Sequence, residues 1–151
     1  MATDSTSVQS FAPPRGSSVL LLLRLEGLAV AAVSAALYAR SGASWWLFAS
    51  LWLVPDLSLL GYLGRPCRAA RIYNAFHSYV VPAALGLSAF LLHAQGVLPV
   101  ALIWANHIGV DRLLGYGLKY GDGFGWTHLG LIGVAKRAAF TRDQASRAPV
   151  A

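Results

Sequence analysis

Four apolar runs dominate the chain, at residues 18–39, 44–64, 69–93 and 97–118. Each is long enough to cross a bilayer core of ~30 Å as a helix rising ~1.5 Å per residue. The links between them are short: "RSGAS", "RPCR" and "AQG". Short links make antiparallel neighbours, so the pattern predicts an all-α, up-and-down four-helix transmembrane bundle. Backbone polar groups in lipid must bond within their own span, which also favours helices. Ahead of the bundle, residues 1–17 are polar, rich in Ser and Thr and broken by Pro13-Pro14, and read as a flexible leader. Residues 18–119 form the transmembrane domain. Residues 120–140 read as a glycine-rich loop and a short interfacial segment. Residues 141–151 read as a disordered tail.

Composition agrees with this class. Hydrophobic residues make up 56% of the 151 and charged residues only 12%, against roughly a quarter charged in average soluble domains. The mean hydropathy is +0.55. The net charge of +6 does not imply nucleic-acid binding, because the bases lie beside the apolar runs, where they set topology and meet anionic lipid. Arg15, Arg65, Arg68, Arg71, Lys119, Lys136 and Arg137 fall on one side of the expected bundle and only Arg40 on the other. The positive-inside rule therefore places both termini in the cytoplasm. The single cysteine, Cys67, excludes an internal disulfide and a cysteine-based metal cage.

Chemistry concentrates where the chain is most apolar. Of six acidic residues, Glu26, Asp56 and Asp111 lie within spans, as do His77 and His107. Ionisable groups at a helix centre cost ~2.5–3.5 kcal/mol on insertion scales, so they should face the bundle interior. Glu26, Asp56 and Asp111 each lie about eight residues from the cytoplasmic end of their span, or ~12 Å. His77 and His107 fall within about a turn of that level. His107 and Asp111 are four apart and share one helix face, as do Tyr73 and His77. Pro55 permits a kink that could carry Asp56 toward the axis.

This layer supports several chemistries. His77, His107, Asp111 and Asp56 could hold a divalent metal, as His and carboxylates do in bundles. The same groups could move protons without metal, with Asp56 and Asp111 transferring the proton, His77 and His107 as partners, and Arg112 orienting a carboxylate or stabilising negative charge. Asn74, Asn106, Tyr73, Trp52 and Trp104 are candidate substrate contacts. Thr127 and His128, after the glycine-rich stretch, could close the cytoplasmic mouth. The glycines follow no phosphate-loop pattern. The expected function is a membrane-embedded enzyme acting on an apolar or lipid-like small molecule within the bilayer. The alternatives are a small proton-coupled transporter or channel, centred on Glu26, and a structural protein whose polar groups bond across helices. A homo-oligomer is compatible with any of these.

The runs "VPDLSLLGYL", "YNAFHSYVVP", "WANHIGVDRLLGYGLKY" and "FGWTHLG" resemble those of an uncharacterised family of small bacterial integral membrane proteins, a domain of unknown function. The resemblance covers roughly residues 20–131. It implies a four-helix protein of the bacterial inner membrane and assigns no role to any residue.

Overall fold

The structure is a computed structural model that describes residues 18–147, with side chains through 141. The expected leader at 1–17 and the last residues, 148–151, lie outside the described part. The elements are α1 (Ser18–Arg40), α2 (Trp45–Trp52), a 3-10 helix (Pro55–Leu63), α3 (Pro66–Phe76), α4 (Val80–Leu91), α5 (Val97–Leu114), β1 (Trp126–Thr127), β2 (Gly130–Leu131) and α6 (Gly133–Arg147). The protein is mostly helical. Three helical stretches are long and apolar enough to cross a membrane: Ser18–Arg40, Trp45–Leu63 and Val97–Leu114.

The third apolar run departs from expectation. It is not one span but two short helices, α3 and α4, broken at His77–Tyr79. Pro82 explains the break. Its ring excludes the carbonyl four residues back, that of Ser78, from a continuing helix and offers no N–H in return. The second run is also divided, because Pro55 opens a 3-10 turn directly after α2. The prolines at 55, 66, 82 and 99 all fall in the first turn of their elements, where a missing N–H costs nothing.

Helix α5 is the centre of the molecule, with α1, α2 and α4 packed on it and α3 packed on the 3-10 helix. Its buried side includes Ile103, Asn106, His107, Ile108, Gly109 and Arg112. The α1 face that meets it is small: Gly27, Ala31 and Ser34, with Tyr38 further along. A Cβ on Gly109 would lie 2.7 Å from the Gly27 carbonyl oxygen and 2.8 Å from the Ala31 nitrogen. Two backbones approach this closely only over glycine, as in small-residue crossings of membrane helices. Asn106 fixes the register, its Nδ2 donating to the Ala31 carbonyl at 2.8 Å. The outer sides of α1, α2 and α4 expose large apolar residues such as Leu21, Val33, Trp46 and Phe90.

Helix α5 ends at Gly115, whose φ of 93° suits the left-handed cap that accompanies the bond from Tyr116 N–H to the Asp111 carbonyl. The glycine-rich stretch that follows folds back rather than trailing away. Its β1 and β2 form a small antiparallel ribbon, and Lys119 bridges to Thr127. Helix α6 then runs to Arg147, so residues 141–147, expected to be disordered, are helical.

Candidate metal centre

Three elements deliver four donor side chains to one point. Asp56 sits in the first turn of the 3-10 helix. His77 is the residue that ends α3. His107 and Asp111 lie one turn apart on α5. The two imidazole Nε2 atoms are 3.3 Å apart. His77 Nε2 lies 3.4 Å from Asp56 Oδ1 and 3.5 Å from Asp111 Oδ2. His107 Nε2 lies 3.6 and 3.8 Å from the same two atoms. All four donor atoms fall within 4.8 Å of one another. Four N and O ligands held at ~2.0–2.2 Å around a tetrahedral ion are separated by ~3.3–3.6 Å. Most of the measured edges therefore already suit such an ion.

The ring orientations favour the same use. His77 Nδ1 lies 3.1 Å from the Tyr73 carbonyl. A carbonyl only accepts, so Nδ1 carries the hydrogen and Nε2 turns its lone pair to the cluster. A metal-binding histidine is usually oriented in this way. His107 Nδ1 is buried beside the Trp52 backbone without a well-formed hydrogen bond. Tyr73 stacks on the His77 ring at 3.8 Å, and its hydroxyl donates to Asp111 Oδ2 at 3.4 Å. Trp52 presents an edge to His107 at 4.9 Å and donates its Nε1–H to Asn106 Oδ1 at 2.9 Å. Both histidine side chains are 1% exposed, whereas those of Asp111 and Asp56 are 15% and 35% exposed. Access to the cluster is past Asp56.

The break in the third run is built into this site. Arg112 Nη2 donates to the freed His77 carbonyl at 2.9 Å, while Nη1 donates to the Tyr116 carbonyl at 3.0 Å. Trp104 Nε1 donates to the Phe76 carbonyl at 2.7 Å. The Phe76 and His77 carbonyls, left free where the helix breaks, thus find partners on α5, which holds His77 beside His107.

Several expected site residues have other places. Arg112 forms no ion pair with Asp111 or Asp56. One residue beyond Asp111 on the helix, it points elsewhere and holds carbonyls. Glu26 is not in the cluster. It follows a depth that matches, but it neighbours Gly27, which is pressed onto α5, so its side chain turns off the buried face and lies exposed. Asn74 grips the returning loop, its Nδ2 donating to the Lys119 carbonyl at 2.9 Å and its Oδ1 accepting from Lys119 N–H at 2.7 Å. Asn106 and Trp104 serve α1 and α3 as described. Thr127 is buried in the ribbon, its hydroxyl donating to the Gly130 carbonyl. His128 Nδ1 accepts from Leu118 N–H at 2.8 Å. Burial, together with the Arg112 charge, pushes the His128 imidazole below its usual range.

Lys119 emerges only in the fold. In the sequence it is one more base at a span end. In the structure it is buried, with Nζ 4.8 Å above the Tyr73 ring and 3.8 Å from that of Phe124, and it donates to the Phe124 carbonyl at 3.2 Å. Burial pushes its ammonium down from 10.5 to about 8, opposed by the Asp111 carboxylate. No spacing in the sequence marks it, because the returning loop that buries it has no periodicity.

No curated protein and no solved structure matched the chain. Residues 20–132 match the family described as domain of unknown function (DUF4260), and the chain belongs to that family.

Proposed function

We propose that the protein is a metal-dependent enzyme embedded in the bacterial inner membrane, acting on an apolar or lipid-like small molecule. The observation that carries this reading is the convergence of four donor atoms from three elements at tetrahedral spacing. Two imidazoles and two carboxylates without sulfur suit zinc, iron or manganese, and the tetrahedral arrangement favours zinc. Such an ion supplies a Lewis acid and an acidified water. The chain's own residues hold it: His77 and His107 from the closed side, Asp111 through the Tyr73 hydroxyl, and Asp56 at the entrance. A partly exposed carboxylate ligand such as Asp56, once displaced, would leave a place for substrate.

Three helices long and apolar enough to cross a membrane support the membrane placement. The α3–α4 pair would supply a fourth, discontinuous crossing to complete an up-and-down bundle with both termini in the cytoplasm. Broken backbone at membrane depth is tolerated where protein surrounds it, and Arg112 and Trp104 do so here. Arg65, Arg68 and Arg71, all exposed at the start of α3, would meet the cytoplasmic lipid surface.

Three measurements test the reading. Metal analysis of protein purified without chelator under anaerobic conditions should give about one ion per chain, reduced in His107→Ala and Asp111→Asn. Lipid extract incubated with metal-loaded protein should then show a mass change that Asp56→Asn abolishes. Metal-free wild type would overturn the metal, and a periplasmic reporter active at the C-terminus would overturn the orientation.

A further inference from the structure

A mostly apolar space with a few polar groups lies behind Arg112. It is a cavity of about 480 Å³ lined by Leu23, Glu26 and Val30 of α1, Tyr79 of the helix break, Arg112 of α5 and His128 of the ribbon, among others. No member of the metal cluster lines it. Its volume lies within the ~300–1,000 Å³ usual for small-molecule sites.

Its polar groups are incompletely satisfied. The Tyr79 hydroxyl is buried and has no hydrogen-bond partner. Among the described residues the Glu26 side chain forms no hydrogen bond and no ion pair, although Arg112 faces the same cavity. Arg112 uses two of its N–H groups on carbonyls and has others to give. His128 uses Nδ1 as an acceptor, which leaves the hydrogen on Nε2 as a free donor. The cavity thus presents one carboxylate on its α1 side and three hydrogen-bond donors, one of them cationic, opposite. A carboxylate within an apolar span is costly without a partner, and Arg112 is not that partner.

An acid and a base that share a cavity without meeting are complementary to a zwitterion. We infer that this cavity binds the head of an amino-phospholipid, its phosphate on Arg112, Tyr79 and His128 and its ammonium on Glu26. Primary ammonium suits Glu26 because it donates charge-assisted hydrogen bonds, which a quaternary amine cannot. Leu23 and Val30 offer the apolar wall along which the lipid's glycerol and chains would leave toward the exposed face of α1. The inference rests on the membrane placement proposed above, which the reporter fusion tests separately, and is independent of the metal.

The test is lipid retention by the full-length protein released from nanodiscs of equimolar phosphatidylethanolamine, phosphatidylglycerol and phosphatidylcholine, read by native mass spectrometry. Wild type should keep one phosphatidylethanolamine in preference to either competitor by about tenfold, the worth of one charge-assisted hydrogen bond. Glu26→Gln, a change at an exposed position, should erase the preference for the amine while leaving phosphatidylglycerol retention unchanged. Tyr79→Phe should weaken retention of both lipids severalfold. Equal retention of the three lipids by wild type, or an unchanged preference in Glu26→Gln, would overturn the proposal. So would full displacement by free phosphoethanolamine, since the apolar wall would then contribute nothing.

Discussion

The Nε2 atoms of His77 and His107 face each other 3.3 Å apart, although thirty residues separate them in the chain. The Tyr73 carbonyl fixes the hydrogen of His77 on the far nitrogen. A lone pair therefore points at the second imidazole, with carboxylate oxygens 3.4 and 3.5 Å away. Electron-rich atoms gathered this tightly in a buried place call for a cation among them.

The first expected outcome is metal binding with a sharp ligand dependence. His77→Ala and Asp111→Asn should each lower zinc affinity by about a hundredfold or more, as first contacts with the ion exceed the ~10–100-fold typical of supporting residues. Competition against a chelator of known affinity measures this. Equal affinity in the variants and wild type would rule the cluster out.

Tyr73 supports the cluster without belonging to it. Tyr73→Phe keeps the ring stacked on His77 and removes only the donor to Asp111. It should weaken metal binding by about tenfold, at the low end for a supporting hydrogen bond. Tyr73→Leu, which also loses the stacking, should weaken it further. If both variants bind like wild type, Tyr73 does not position Asp111.

The α1–α5 crossing should tolerate no added methyl. In Gly109→Ala the new Cβ meets the backbone of α1 at 2.7–3.1 Å, and backbone cannot swing aside as a side chain can. The helices must separate, at a cost of about 1–3 kcal/mol or more. Thermal unfolding in detergent should show a clearly lower Tm, together with loss of metal, because α5 carries His107 and Asp111. An unchanged Tm would mean that the crossing is looser than the backbone distances imply.

Lys119 predicts a rise of stability with pH. Burial lowers its folded-state pKa from 10.5 to about 8, so the native state favours the neutral amine. Between about pH 8 and pH 10.5 the unfolded chain binds more protons, and stability increases with pH across that window. Below pH 8 both states are protonated and the burial penalty is constant. Lys119→Met lacks the group and should lack the rise. Unfolding midpoints measured from pH 7.5 to 10.5 check this, and an identical rise in the variant would assign it to another group.

The apolar runs by themselves determined the helical class, three of the four expected spans and the residues worth watching, because hydropathy and spacing are local properties. The i,i+4 spacing of His107 and Asp111 placed both on one face, and they share it. Counting residues also brought Asp56 and His77 to that level. The same count set Glu26 there, and tertiary structure moved it out, since depth says nothing about rotation around a helix whose Gly27 is pinned to Gly109. The break at His77–Tyr79 is written in Pro82, yet its use is tertiary: only Arg112 and Trp104, arriving from α5, make the freed carbonyls stable. The burial of Lys119 and the cavity behind Arg112 depend on a loop that returns to Asn74. Such contacts join residues about forty or more positions apart, and no periodicity along the chain encodes them.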